Sequence, residues 1–152
     1  MQRSCIMRSL KLAGIFTLIA SFLHIAIIFG GADWYRFFGA GEEMAVMSEQ
    51  GSIYPTIITS IIALLLAISS IYAISGAGII KKMPFLKTAL FLIAFAFLAR
   101  GLIGIPVVLF ASSDYMVELA TDITFMVISS LICVVIGSCY GLGMLKIYID
   151  KS

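Results

Sequence analysis

The sequence predicts an all-α integral membrane protein: a four-helix transmembrane bundle with a short interfacial helix in its first outer loop. Of its 152 residues, 62% are hydrophobic and 12% are charged, and the mean hydropathy of +1.15 is too high for the surface of a water-soluble domain. Four apolar runs, at residues 12–29, 53–74, 88–111 and 123–145, are long enough to cross the ~30 Å hydrocarbon core of a bilayer. We therefore expect one domain over residues 1–152.

The four transmembrane helices are expected at about 10–29, 53–75, 86–111 and 122–146. The first run also resembles a signal peptide, with small residues at its exit, and cleavage after Ala32 is the alternative reading. Its apolar core of eighteen residues is longer than a usual signal-peptide core, so we expect it to be retained as a helix. Tyr54-Pro55 stands at the start of the second run, and proline suits the first turn of a helix.

The charges predict which way the bundle sits in the membrane. Eight of the ten basic residues lie before the first run, between the second and third, and after the fourth, whereas seven of the eight acids lie in the other two loops. Short loops rich in Lys and Arg stay cytoplasmic. Both termini are therefore expected inside, in a membrane such as the bacterial inner membrane.

The first outer loop, residues 30–52, is expected to form a lid over the bundle. Trp34 and the aromatic residues that follow it suit the headgroup region. Residues 42–49 have acids in the first turn of a short helix, Glu42 and Glu43, and Gly51 ends it.

Small and weakly polar residues at helical spacing predict the contact faces, because lipid provides no hydrophobic drive between helices. Each run has such a stripe. The stripes are Gly14, Thr17, Ala20, Ser21 and His24; Thr56, Thr59, Ser60, Ala63, Ala67 and Ser70; Ala89, Ala96, Arg100 and Gly104; and Ser129, Cys133, Gly137 and Gly141.

Arg100 is the one charge inside an apolar run, and its stripe predicts that it faces the bundle interior. Its guanidinium has five donors and no acceptor, so it needs a negative or oxygen-rich partner. None of the runs contains a carboxylate. The partner could be an acid from an outer loop, backbone carbonyls such as that of Leu102, which Pro106 leaves without its usual donor, or a bound anion.

His24 and Arg100 each lie thirteen residues after a basic anchor, so we expect them near one level of the membrane. This polar level is the candidate site, open to the outer leaflet. The candidate ligand-binding residues are Arg100, His24, Glu43, Glu42, Tyr54, Ser129, Trp34 and Asp122. No metal site is expected, because one histidine and scattered cysteines do not supply the ligands.

The favoured function is binding of an amphipathic lipid-like or quinone-like molecule, with no cofactor and membrane lipid as a partner. One alternative is an accessory or immunity-type subunit that associates through helix contacts, as a homo-oligomer or in a larger membrane complex, with Arg100 purely structural. A second alternative is an oligomeric transporter or channel. No basic patch suggests nucleic acid, and no motif indicates an enzyme. If there is catalysis, His24, Arg100 and Glu43 are the candidate groups.

Overall fold

The computed structural model describes residues 2–110 and 123–149, which form six α-helices and, in these ranges, no strand. The helices are α1 (Gln2–Gly30), α2 (Ala32–Phe37), α3 (Glu42–Glu49), α4 (Tyr54–Gly76), α5 (Leu86–Phe110) and α6 (Ile123–Ile149). Four of them, α1, α4, α5 and α6, are long and apolar enough to span a membrane. The predicted four-helix bundle is confirmed, and the chain is an integral membrane protein. The lid contains two short helices where one was expected.

The bundle consists of two helix pairs. Helix α1 packs along α4, and α5 packs along α6, and these are by far the most extensive contacts between elements. The pairs meet mainly through α1 and α6, while α4 and α5 contact each other less extensively. Each pair therefore has its own interface, and a smaller interface joins the two pairs.

Small and hydroxyl side chains hold α1 against α4, as their spacing predicts. The Ser70 hydroxyl donates to the Gly14 carbonyl oxygen at 2.8 Å, and the Ser21 hydroxyl donates to the Ala63 carbonyl oxygen at 2.7 Å. A Cβ added to Gly14 would lie only 3.2 Å from the Cβ of Ala73. The missing side chain thus lets the two backbones come close enough for hydroxyl groups to bridge them.

Two glycines bring α5 and α6 together. A Cβ on Gly101 would lie 2.8 Å from the Ser130 carbonyl oxygen, and one on Gly137 would lie 3.0 Å from the backbone nitrogen of Leu98. Gly137 is therefore covered by α5 within the same chain. The spacing of small residues in the fourth run predicts that Gly137 lies at a helix contact, and α5 covers it within the same chain.

The contact face of α5 differs from the expected one. Its buried residues are Leu86, Leu90, Ala94 and Gly101, whereas Ala96 and Arg100 are exposed. This face combines the large Leu86 and Leu90 with the small Ala94 and Gly101, and Gly137 of α6 leaves room for Leu98. The expected stripe of Ala89, Ala96 and Arg100 therefore did not identify the contact face of α5.

Tyr140 joins all four long helices at the centre of the bundle and is fully buried. Its hydroxyl donates to the Ser69 carbonyl oxygen on α4 at 2.9 Å and lies 3.2 Å from the Thr17 hydroxyl on α1. Its ring stacks on Phe97 of α5, with 6.0 Å between ring centroids and 7° between planes. The tyrosine fills the core and gives its own hydroxyl a partner in an otherwise apolar region.

Candidate functional site

The structure does not enclose Arg100 between helices. Arg100 is exposed, and its neighbour Gly101 makes the contact with α6. Arg100 does lie close enough to Cys133 of α6 for an electrostatic interaction. The expected inward orientation of Arg100 was wrong, because α5 turns its Leu90 and Gly101 side inward.

His24 and Ser129 are both half-buried. The Nδ1 atom of His24 lies 2.7 Å from the Ala20 carbonyl oxygen, and since a carbonyl can only accept, Nδ1 carries the proton. This bond stays within α1 and uses one ring nitrogen in a local contact. The geometry of His24 is that of a polar residue satisfied by its own helix.

At the lid end, Glu42 binds Arg36 rather than Arg100. The Arg36 Nε donates to Glu42 Oε2 at 2.6 Å, the Arg36 Nη2 contacts Glu42 Oε1, and Nη1 donates to Glu49 Oε1 at 2.7 Å. Asp33 lies 3.7 Å from the same guanidinium. We call these four residues the Arg36 cluster. Hydrogen bonding to Arg36 lowers the pKa of Glu42, and Glu42 and Glu49 raise the pKa of Arg36.

The underside of the lid packs against the bundle. Tyr35 is buried and accepts a hydrogen bond from the Thr59 hydroxyl of α4 at 3.3 Å. Phe38 packs edge-on against Phe125 of α6, with 6.4 Å between ring centroids. The lid therefore contacts both helix pairs and is a packed cap on this end of the bundle.

The remaining sequence candidates at this end are exposed where the structure describes them. Trp34, Tyr54 and Glu43 are exposed. Asp122 lies outside the described residues. Of the acidic candidates at this end, Glu42 is held in the Arg36 cluster.

A cavity of about 570 Å³ lies at the opposite end of the bundle, which we call the basic end. Residues from α1, α4, α5, α6 and the turn between α4 and α5 line it. Three of them, Lys82, Lys87 and Lys146, are basic, and we call them the cavity lysines. Lys82 is exposed, and the other two are half-buried.

Apolar residues and glycines form the floor of this basic cavity. Leu10 is almost completely buried there, and a Cβ on Gly76 would lie 3.4 Å from its side chain and 3.6 Å from that of Ile147. Gly143 also packs against Leu10 and lines the cavity. Cationic groups around an apolar floor can hold an ion and a hydrocarbon chain in one site.

The turn that leads into α5 places the first residues of this helix at the cavity. The Ser75 hydroxyl donates to the Lys81 carbonyl oxygen and accepts from the Met83 backbone N–H, each at 3.0 Å. Phe85 then adopts a left-handed conformation, with φ of 54°, which is costly for a bulky residue. The two hydrogen bonds of Ser75 hold the turn, and α5 begins at Leu86.

Sequence reasoning used the cavity lysines only to orient the bundle and did not predict this cavity. The signal was present in their number, but their convergence depends on how α5 and α6 pair, which spacing alone does not show. Within the described residues, no group of three His, Cys, Asp or Glu side chains could hold a metal ion.

The fold and these two ends define an integral membrane four-helix bundle with a packed lid at one end and a basic, partly apolar cavity at the other. Comparison with protein families, curated proteins and solved structures finds no match.

Proposed function

We propose that this protein binds a negatively charged, amphipathic, lipid-like molecule in the basic cavity. The observation that supports this proposal is the convergence of the three cavity lysines on one cavity with an apolar floor. An amphipathic anion combines the two properties that such a lining complements. A cavity of this volume lies in the range typical of small-molecule sites.

The position of the cavity also suits a membrane ligand. By the positive-inside rule, we propose that the basic end faces the cytoplasm, with both termini on that side. Anionic lipids give this leaflet a negative surface potential, and each Lys or Arg near such a surface contributes about 1 kcal/mol of attraction. We propose that the ligand enters from this leaflet, in a membrane such as the bacterial inner membrane.

This proposal keeps the ligand class that the sequence favoured and moves its site. The outer polar level offers less support, because Arg100 is exposed and Glu42 binds Arg36. The proposal of association through the fourth helix is also weakened, since α5 already covers Gly137. Lipid binding at the basic end is the function that the geometry supports best.

The test compares two variants that lose the same charge at the same end. In the first, the three cavity lysines are replaced by Gln. In the control, Arg8, Lys11 and Lys81, which do not line the cavity, are replaced by Gln. Each full-length protein is purified from the same membranes, and its bound lipids are identified by native mass spectrometry.

We expect the wild type and the control to retain anionic lipid and the cavity variant to lose most of it. Equal retention by both variants would show that the lipid is held by general charge and would refute the site. The Arg100→Ala variant is a third arm. Loss of lipid in that variant, with retention in the cavity variant, would return the site to the outer polar level.

A further inference from the structure

Phe85 stands at the rim of the basic cavity in a conformation that its side chain disfavours. It belongs to the lining of the cavity, yet its exposed fraction is 83%. Its φ of 54° is left-handed, and in the part of the chain that the structure describes every other residue with a positive φ is a glycine. A bulky side chain adopts this conformation only at a cost, and a ring so exposed makes few contacts that offset it. Backbone strain of this kind is concentrated at binding sites and switches.

The backbone on both sides of Phe85 holds this conformation. On the N-terminal side, the buried Ser75 hydroxyl at the end of α4 bonds to the Lys81 carbonyl oxygen and the Met83 N–H. On the C-terminal side, the Phe85 carbonyl oxygen accepts from the Ala89 N–H at 2.9 Å, in the first turn of α5. Hydrogen bonds outside the side chain therefore sustain the strain.

Relaxation of this strain would move the ring to the cavity. A change of φ from positive to negative, with the chain fixed on both sides, carries a side chain to the other side of the backbone. At Phe85 the present side is the exposed one. The neighbours Met83 and Leu86 both line the cavity, so the opposite side of the backbone faces the cavity. A relaxed Phe85 would thus lie across the cavity mouth.

We infer that Phe85 is a gate on the basic cavity, held open by the hydrogen bonds of Ser75 and closed when its φ relaxes to a negative value. This inference rests on the proposed function and adds the regulation of the same site. In the open state the ligand reaches the cavity, and in the closed state the ring covers the mouth. Loosening of the turn between α4 and α5 favours closure.

The experiment measures binding of phosphatidylglycerol to the delipidated full-length protein in detergent by native mass spectrometry. Ser75→Ala removes the bonds that hold the gate open. It should weaken binding by at least about fivefold, the population ratio at the lower end of the cost of backbone strain. Phe85→Gly should bind as tightly as the wild type, because glycine adopts a left-handed φ without cost and has no ring.

The double variant Ser75→Ala/Phe85→Gly separates a gate from a structural role of the turn. It should recover most of the affinity that Ser75→Ala loses. If Ser75 only supports the fold of the turn, an added glycine cannot restore binding, so a failure to recover overturns the gate. Unchanged binding in Ser75→Ala overturns it as well. Phe91, an exposed phenylalanine of α5 outside the cavity lining, provides the control: Phe91→Ala should not restore binding to Ser75→Ala.

Two single substitutions at Phe85 test the gate while the bonds of Ser75 remain in place. Asparagine tolerates the left-handed conformation, whereas a β-branched isoleucine is strongly disfavoured there. The gate predicts that Phe85→Asn keeps the affinity of the wild type and that Phe85→Ile binds less tightly. Equal binding by these two variants overturns the gate. The opposite order overturns it too, because it makes Phe85 a simple apolar contact for the acyl chain.

Failure of the gate differs from failure of the proposed function. If lipid binding depends on the cavity lysines but not on Ser75 and Phe85, the gate is refuted and lipid binding stands. If no lipid depends on the cavity lysines, the proposed function fails, and the gate fails with it.

Discussion

Replacing Gly101 by Ala should drive α5 and α6 apart. The new Cβ would lie 2.6 Å from Val134 Cγ2, 2.8 Å from the Ser130 carbonyl oxygen and 3.0 Å from the Val134 backbone nitrogen. Two of these atoms belong to the backbone of α6, so a side-chain rotation cannot relieve the clash. Gly101 is therefore a site where the smallest substitution has to move a helix.

The magnitude follows from two opposing effects. Overpacking in a well-packed interior costs about 1–3 kcal/mol, and contact with backbone atoms places this site in the upper part of that range. Replacing Gly by Ala within a helix returns up to about 1 kcal/mol. We expect Gly101→Ala to lower the free energy of unfolding by about 1–2 kcal/mol.

Gly141→Ala is the matched control, because it makes the same chemical change on the other helix of this interface. A Cβ on Gly141 would meet only the Cβ of Ala94, at an ordinary 3.9 Å. This variant should match the wild type or exceed its stability by up to about 1 kcal/mol.

The assay is reversible unfolding in mixed micelles with an increasing fraction of dodecyl sulfate, followed by tryptophan fluorescence. Circular dichroism at the starting point checks that both variants keep their helix content. Equal transition midpoints for Gly101→Ala and Gly141→Ala would refute the close approach of α5 and α6.

Two further predictions concern the bundle centre and the lid. Tyr140→Phe should lower the free energy of unfolding by about 0.5–1.5 kcal/mol, because it removes the donor to the Ser69 carbonyl oxygen. The Tyr72 hydroxyl lies 3.5 Å from its acceptor, so Tyr72→Phe should lower the free energy of unfolding by less in the same assay. The pKa of Glu42 is lowered in the folded lid, so the Arg36 cluster stabilises the folded lid at pH values above the ordinary carboxyl pKa of 4.5. This stabilisation is lost as the pH falls through the lowered pKa of Glu42. The fluorescence of Trp34, the only tryptophan, should change over that acidic range in the wild type but not in Glu42→Gln. Identical titrations of the two proteins would contradict the role of Glu42 in holding the lid.

The long helices were predictable because a bilayer leaves few alternatives. An apolar run must form its backbone hydrogen bonds within itself, so length and hydropathy suffice to identify it. The lid helix at residues 42–49 was equally accessible, since acids at its start and Gly51 after its end are local signals. These features depend on neighbouring residues in the sequence and not on the packing of distant helices.

The face of α5 was not predictable by the same reasoning. A close helix contact needs a small residue on only one partner at each point, and here Gly137 of α6 accommodates Leu98 of α5. Ala89 and Ala96 were therefore poor evidence for the buried side of α5. Arg100 inherited that error, since its inward orientation was inferred from those alanines.

Tyr140 and the basic cavity were missed for a related reason. In the sequence, Tyr140 is one of six tyrosines, and nothing near it shows that Thr17 and Ser69 lie beside it. The cavity lysines come from the turn, from α5 and from α6, so their proximity depends on tertiary packing. The sequence shows which chemical groups are present, but it does not show which distant residues lie next to them in the fold.

The pairing of α1 with α4 and of α5 with α6 has a consequence for biosynthesis. The two helices of each pair lie in one contiguous half of the chain. A nascent polypeptide can therefore enter the bilayer as two successive hairpins, and the helices of each hairpin can pack against each other at once. The second half then has only to dock against the first, chiefly through α1 and α6. An interruption of the chain between the halves would leave both hairpin interfaces intact, and the two fragments could reassemble when they are made in the same cell.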